Sequence, residues 1–306
     1  MALEQAILVT GATTGLGRRT ALALATQGAY LLIGGRRRDA VVSLVDHINT
    51  STRGHAAPFV ADLADLAALN EALDTIEHQP LGGIVANAGI STAQDLKSRQ
   101  GYELTFAVNV LAHQLVLRRL GGNIVDGGRV VIVSSGVHDP DNKLARRAGI
   151  PIPRWIGTRE LALINSIDPA PGFDDGRLRY STSKLGNVLQ ARALQAWLRE
   201  QRRDVDVFAI DPGLMVDTRL ARDFPAIQRT VLKTLGRLAT PFVANMRLSS
   251  VLAGHIATLI RDDQWSGMGF AYLDGVDIKP PSPDAQDDDL VNELWQVSSE
   301  LLGLPA

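Results

Sequence analysis

Cysteine is absent from the chain, which excludes disulfides, thiolate metal sites and cysteine nucleophiles together. That absence leaves the redox compartment open. A charge excess is missing too. The 31 basic and 33 acidic side chains leave a net charge of −2, which argues against nucleic acid or an anionic membrane as the dedicated partner. No uninterrupted apolar run reaches the ~18–20 residues that span a bilayer. Nothing ahead of the first strand-like run reads as a signal peptide, so a soluble cytoplasmic protein with no membrane span is expected. There are no internal repeats and no low-complexity tracts. What is there is 306 residues, 45% hydrophobic, enough for a sizeable core in one large domain or two small ones.

The first informative stretch is Ala6-Ile-Leu-Val-Thr-Gly-Ala-Thr-Thr-Gly-Leu-Gly17. A short apolar run reads as a buried strand, Gly11, Gly15 and Gly17 punctuate a turn, and residues 18–28 read as a helix packed on the strand. Strand, glycine turn and helix N-terminus make a seat for a phosphate, because close backbone approach and free N–H groups favour negative charge. Strand-like and helix-like segments then alternate. Strands are expected at 30–34, 57–61, 83–86, 129–134, 205–210 and 269–273, and helices at 39–48, 66–76, 100–120, 180–200, 240–260 and 288–302. This pattern predicts an α/β fold, a Rossmann-type doubly wound parallel sheet of about seven strands with helices on both faces. Residues 1–306 read as a single dinucleotide-binding domain. Two inserts, 136–178 and 214–240, follow strand C-terminal ends, where ligands bind in open parallel sheets, and are expected to form the substrate side.

The second strand ends Gly34-Gly35-Arg36-Arg37-Arg38 with no carboxylate at its tip. A carboxylate there would take the ribose 2′-hydroxyl of NAD(H), whereas Arg36 can grip the 2′-phosphate of NADP(H), with Arg18 as a second positive charge. NADP(H) is therefore expected over NAD(H). The ordinary alternative is three surface arginines opening a helix.

Tyr180-Ser-Thr-Ser-Lys184 sets a phenol and an ammonium at i and i+4 on one helix face, after a strand that ends in Ser134-Ser135. A free tyrosine titrates near 10 and is a poor acid–base catalyst at neutral pH; a neighbouring ammonium and a cationic nicotinamide both favour phenolate. A phenol so tuned can hand a proton to a carbonyl oxygen as hydride arrives, or remove one from an alcohol. Strand alternation puts Ser134 and Ser135 on opposite faces without saying which faces the site.

Thr10-Gly-Ala-Thr-Thr-Gly-Leu-Gly17, Asn87-Ala-Gly89, Asn109, Ser135, Tyr180-x-x-x-Lys184 and Asp211-Pro-Gly213 occur in the order of the short-chain dehydrogenase/reductase family, which the chain resembles over some two hundred residues. The resemblance implies that Tyr180 is the proton donor and acceptor, that Lys184 binds the nicotinamide ribose and lowers the tyrosine pKa, that Ser135 holds the substrate oxygen and that Asn109 holds a relay water. It implies cofactor contacts at Gly11, Thr13, Thr14, Gly15, Leu16 and Gly17, with Asp62 and Leu63 at the adenine. Asn87, Ala88 and Gly89 would meet the adenosine side, and Pro212, Gly213 and Thr218 the nicotinamide end and pyrophosphate. Members often pair through the helices at 100–120 and 180–200 as homodimers or homotetramers, although long inserts can block one of those surfaces. Asn109-Val-Leu-Ala-His113 and the long segment before Tyr180 resemble the retinol-dehydrogenase-like and protochlorophyllide-reductase-like branch. The chain departs from both. No membrane-anchoring segment like that of the first is expected, the pigment-site cysteine of the second is absent, and Ala86 stands where the family usually has an Asn.

The expected activity is hydride transfer between NADP(H) and a small-molecule carbonyl/alcohol pair, medium to bulky and apolar. The alternatives are a non-catalytic NADP(H)-binding sensor on the same fold and an isomerase or dehydratase using the nucleotide transiently. Other polar residues have ordinary readings: His113 in a core or interface, His138 solvated on a loop, Asp211 forming a turn. Asp287-Asp288-Asp289 reads as helix N-terminal acids rather than a metal site. Trp155, Ile156 and 161–164 either line the substrate pocket or anchor the insert.

Overall fold

Strand alternation divides the interior into two cores. In β4 (Leu81–Ala86), β5 (Ile124–Val133) and β6 (Val205–Asp211), Ile84, Val130, Ile132, Val207 and Ala209 face one side. Their neighbours Val85, Val131, Val133, Phe208 and Ile210 face the other. Both faces are covered, so these strands read as continuous apolar runs, as the central strands of a parallel sheet do. The computed structural model describes residues 5–164, 173–215, 246–247 and 249–305. The remaining strands of the sheet are β1 (Ala6–Val9), β2 (Tyr30–Gly35), β3 (His55–Val60), β7 (Phe270–Asp274) and β8 (Asp277–Lys279), in the order β8-β7-β6-β5-β4-β1-β2-β3. Seven are parallel, and β8 returns antiparallel on β7.

Helices α1 (Gly15–Thr26) and α2 (Arg38–Ser51) cover one face, and α3 (Leu66–Asp74) and α4 (104–120) the other. Within the insert lie α5 (Lys143–Arg147) and α6 (Thr158–Leu163), followed by the 28-residue α7 (Phe173–Glu200). Helix α8 (Ser249–Arg261) packs on α1, and a single turn α9 (Pro283–Gln286) precedes α10 (Asp288–Leu301), which packs on α7. A two-residue parallel pair joins Leu214–Met215 to Met246–Arg247. The expected doubly wound sheet is present, with one strand more than expected. Three residues, Asp277, Ile278 and Lys279, all exposed, carry no apolar run to betray β8. β3 starts two residues early and tolerates Pro58 because it is an edge strand. α7 starts at Phe173, well before the expected 180, so the insert contains helix rather than plain loop. The expected insert 214–240, apart from Leu214–Met215, lies outside the described residues, as does 165–172 within the first insert. Asp287 caps α10, its Oδ1 accepting from the N–H groups of Asp289 and Leu290. No described helix is long and apolar enough to cross a membrane.

The order reverses at β1, which lies between β2 and β4, and the crevice beyond their C-terminal ends is the topological switch point. The two helices that flank this region, α4 and α7, are joined by a buried charge cluster. Glu103 caps α4 by accepting from the N–H groups of Thr105 and Phe106, at 3.0 and 2.6 Å. Arg179 places Nε 3.3 Å from the same carboxylate, pairs with Asp175 one turn back and donates to the carbonyl of Gln94. All three charged side chains are nearly inaccessible to water. Removing the cation leaves two buried carboxylates facing each other. Arg179→Met is therefore expected to cost about 3–5 kcal/mol in urea unfolding, and a loss under about 1 kcal/mol, the size of an exposed pair, would refute the cluster's role.

Candidate active site

The glycine turn after β1 is shaped by close approach. Gly11 and Gly15 adopt φ of +62° and +56°, and a Cβ on Gly17 would lie 2.5 Å from the carbonyl oxygen of Gly11. Both features demand glycine. Thr14 is the N-cap of α1 yet makes no side-chain cap bond, and no acid occupies the first turn, so the helix N-terminus is left to another anion. Thr10 ties this turn to β4. Its hydroxyl oxygen accepts from the N–H groups of Asn87 (2.9 Å) and Ala88 (3.0 Å). The Asn87 amide in turn donates to the Thr10 carbonyl at 2.9 Å. Asn87 thus braces the phosphate turn, and its side chain is committed to that.

Of the residues expected at the nucleotide, Thr13 and Leu16 lie in this turn, and Arg36 stands exposed at the end of β2. Arg37 pairs with Asp39, whereas Arg36 forms no ion pair among the described residues. Asp62 closes its own turn by accepting from the N–H of Ala64, with Leu63 between them. Gly89 lies beside Asn109 and Lys184: a Cβ there would sit 3.4 Å from Asn109 Oδ1 and 3.6 Å from Lys184 Nζ. Pro212 and Gly213 follow the end of β6; Thr218 lies outside the described residues.

Strand β5 delivers the two serines to different partners. Ser134 is buried and donates to the carbonyl of Lys184 at 2.8 Å. Ser135 is close enough to the Tyr180 phenol to favour its ionised form. The alternation left open by the sequence places Ser135, not Ser134, beside the tyrosine. Lys184 donates to the carbonyl of Val133 (2.9 Å) and to Asn187 Oδ1 (3.1 Å), with Nζ 5.7 Å from the centre of the Tyr180 ring. Burial lowers its pKa to about 8, partly opposed by Asp211. Tyr180 departs from expectation. Its pKa is pushed up from the ordinary value, first by burial and then by the negative charge of Asp211, with Ser135 opposing. In the protein alone the neighbouring ammonium does not overcome the desolvation of a phenolate.

Asn109 sits within a π-turn, Ala107–Leu111, a widening often found at functional sites. Its side-chain amide donates to Ser183 Oγ (2.9 Å) and to the carbonyl of Ile90, and accepts from the Ile90 N–H. Its carbonyl accepts from Asn187 Nδ2 at 2.7 Å. Asn187 therefore bridges Lys184 to Asn109, a link that the sequence offered no sign of beyond its i+3 spacing from the lysine. His113 is a core residue, as expected. Its Nδ1 donates to the Asn109 carbonyl (3.1 Å), which leaves Nε2 to accept from the Thr10 hydroxyl (3.0 Å). His138 is not solvated. It is buried against Tyr272, with Nδ1 donating to the carbonyl of Ser135 at 2.8 Å. Asp211 does form the expected turn, accepting from the N–H of Gly213, but it is also buried. Trp155 and Thr158 of the insert both donate to Glu293 on α10, so these residues anchor the insert to the body of the protein.

The short chain dehydrogenase family model matches residues 5–143. The Bos taurus dehydrogenase/reductase SDR family member 13 is 31% identical, the match covering 97% of this chain and 73% of that protein. Human retinol dehydrogenase 13 is 27% identical over 98% of this chain and 85% of its own. Among solved structures, an angucycline C-6 ketoreductase with bound NADP superimposes with a TM-score of 0.62 at 22% identity, covering 89% of this chain and 93% of that one. That likeness establishes the shared fold.

His113 carries a stability consequence. Burial lowers its pKa from 6.5 to about 4, with Lys184 adding to the fall and the Asn109 carbonyl opposing it. The unfolded chain then takes up a proton near pH 6.5 that the folded protein refuses until about pH 4. Stability is full above the upper value and falls as pH drops through this window, by roughly 2–3 kcal/mol at its lower end. Urea unfolding across that window is expected to show this slope in the parent and a flatter one in His113→Gln; equal slopes would exclude His113 as its source.

Proposed function

The chain belongs to the short-chain dehydrogenase/reductase family, and on that premise we propose that it transfers hydride between NADP(H) and the carbonyl/alcohol carbon of a medium-to-bulky apolar substrate. The observation that carries the reading is the meeting of Tyr180, Ser135 and Lys184 where β5 and α7 come together, alongside the switch-point crevice. The dinucleotide fits the residues present. The uncapped N-terminus of α1 and its positive-φ glycines would hold the pyrophosphate, and Arg36 the 2′-phosphate. Bound there, it would supply the hydride. Ser135 would hold the substrate oxygen while Tyr180 gives that oxygen its proton, and the reverse reaction would run the same proton back. Lys184 has three donors, two of them used by Val133 and Asn187, and the third would go to a ribose hydroxyl. The phenol is the form that reduction requires, and the upward shift of Tyr180 keeps it in that form. The chain would form one dinucleotide-binding domain whose inserts complete the substrate side.

NADPH oxidation over a panel of ketones and aldehydes is expected to fall by ~10²-fold or more in Tyr180→Phe. A mutant as active as the parent would remove the tyrosine from the mechanism. For the cofactor, Arg36→Ala is expected to weaken NADPH binding far more than NADH binding, measured by fluorescence titration. Equal losses would return the cofactor to NAD(H).

A further inference from the structure

Tyr180, Lys184 and Asn187 fall at i, i+4 and i+7, one stripe along α7. Asn187 is buried, and its amide stands between two groups of opposite hydrogen-bonding character. Oδ1 accepts from the Lys184 ammonium at 3.1 Å, and Nδ2 donates to the carbonyl of Asn109 at 2.7 Å. An ammonium can only donate and a carbonyl can only accept, so one orientation of the amide serves both. A carboxylate in its place would serve the lysine and repel the carbonyl; an apolar side chain would serve neither. The family resemblance implies that Asn109 holds a relay water, yet the structure commits its polar groups elsewhere. The side-chain amide gives its two N–H bonds to Ser183 Oγ and the Ile90 carbonyl, and Oδ1 accepts from the Ile90 N–H. The main-chain carbonyl takes both Asn187 Nδ2 and His113 Nδ1. The group that connects Asn109 with Lys184 is therefore the Asn187 amide.

The consequence for the lysine follows from the shape of an ammonium, whose three N–H bonds keep a fixed tetrahedral arrangement. A single hydrogen bond, to the carbonyl of Val133 at 2.9 Å, would let the group pivot about that contact. The second, to Asn187, stops the pivot and so sets the direction of the third N–H. Gly89 puts no side chain over the ammonium, whereas a Cβ there would touch Nζ at 3.6 Å. Gln190, one turn further along α7, makes a comparable bond to the π-turn. Its Nε2 donates to the carbonyl of Val110 at 3.1 Å and to Gln114 Oε1 at 2.9 Å. Two buried amides thus brace the π-turn, and of the two Asn187 alone also bonds Lys184.

We propose that Asn187 is a positioning residue for Lys184: its amide oxygen holds the ammonium so that the remaining N–H is aimed at the nicotinamide ribose. This rests on reading Lys184 as the ribose ligand.

The test is isothermal titration calorimetry with NADPH and with 2′,5′-ADP, which carries the adenosine half and no nicotinamide ribose. The proteins are the parent, Asn187→Leu, Asn187→Asp, Gln190→Leu, Lys184→Met and the double variant of Asn187→Leu with Lys184→Met. Asn187→Leu is expected to weaken NADPH about tenfold, the scale of one hydrogen bond to a charged group, and to leave 2′,5′-ADP unchanged. Asn187→Asp keeps an acceptor for the ammonium and should bind NADPH within about threefold of the parent. Gln190→Leu should bind both ligands as the parent does. In the Lys184→Met background, Asn187→Leu should add no further loss. The proposal is overturned by unchanged NADPH affinity in Asn187→Leu, by an equal loss of 2′,5′-ADP, or by an Asp variant no better than Leu. The same loss in Gln190→Leu, or full additivity with Lys184→Met, would also overturn it. So would failure of both Asn187 variants to fold by circular dichroism, which would make the residue purely structural. Should Lys184→Met bind NADPH like the parent, the ribose reading of the lysine falls and takes the proposal with it. A weakened Lys184→Met beside an unimpaired Asn187→Leu strikes the proposal alone.

Discussion

A reciprocal latch between β5 and α7 holds the candidate site together. Ser134 Oγ donates to the carbonyl of Lys184, and Lys184 Nζ donates back to the carbonyl of Val133 one residue upstream. Two bonds in opposite directions fix both the height of the helix on the sheet and its rotation about its own axis. With Ser134 turned to α7, alternation sends Ser135 out at the strand end, where Tyr180, one turn before the lysine, meets it. A slip of one residue along β5 would exchange the serines and also reverse every side chain of the strand between the two cores. The apolar residues that stabilise the sheet thereby set the geometry of the polar ones.

Around the latch, neutral groups do most of the work. Burial drives Lys184 and His113 down and Tyr180 and Asp211 up, each toward its uncharged form. What opposes this is a set of amides and hydroxyls. Asn187 joins the ammonium to the Asn109 carbonyl, Thr10 joins the glycine turn to His113, and the N–H of Gly213 meets Asp211. A single charge therefore acts strongly on its neighbours in this poorly solvated cluster.

The strands were legible because each central one is a short, β-branched apolar run bounded by glycine or polar residues, as in Ala6–Val9 and Val205–Asp211. The glycine turn, Asn87–Gly89, Ser135 and Asp211–Gly213 were legible for a related reason: they follow the C-terminal ends of those strands. The rest depends on contacts between segments distant in sequence. β8 exists because β7 offers it an edge, and nothing in Asp277–Lys279 signals it alone. The early start of α7 is held by the Arg179 cluster, whose partners Glu103 and Gln94 lie some eighty residues away. The direction of the Tyr180 shift escaped spacing arguments altogether. Spacing placed Lys184 beside the phenol but could not reveal that burial, and a carboxylate from β6, would outweigh it.

The π-turn in α4 shows how backbone and side chains share the task of building the site. Widening one turn of a helix alters how its carbonyls are directed, and Asn109 lies at the centre of the widened segment. Its carbonyl meets two side-chain donors, Asn187 from α7 and His113 from its own helix. His113 can donate there only because the Thr10 hydroxyl satisfies its other nitrogen, and Thr10 in turn holds the N–H groups of Asn87 and Ala88 beside the glycine turn. A continuous chain of hydrogen bonds thus runs from Lys184 through Asn187, Asn109, His113 and Thr10 to the phosphate seat. The Lys184 end and the glycine-turn end of the crevice are therefore linked through buried polar groups, and a substitution along the chain leaves its immediate neighbours without a partner.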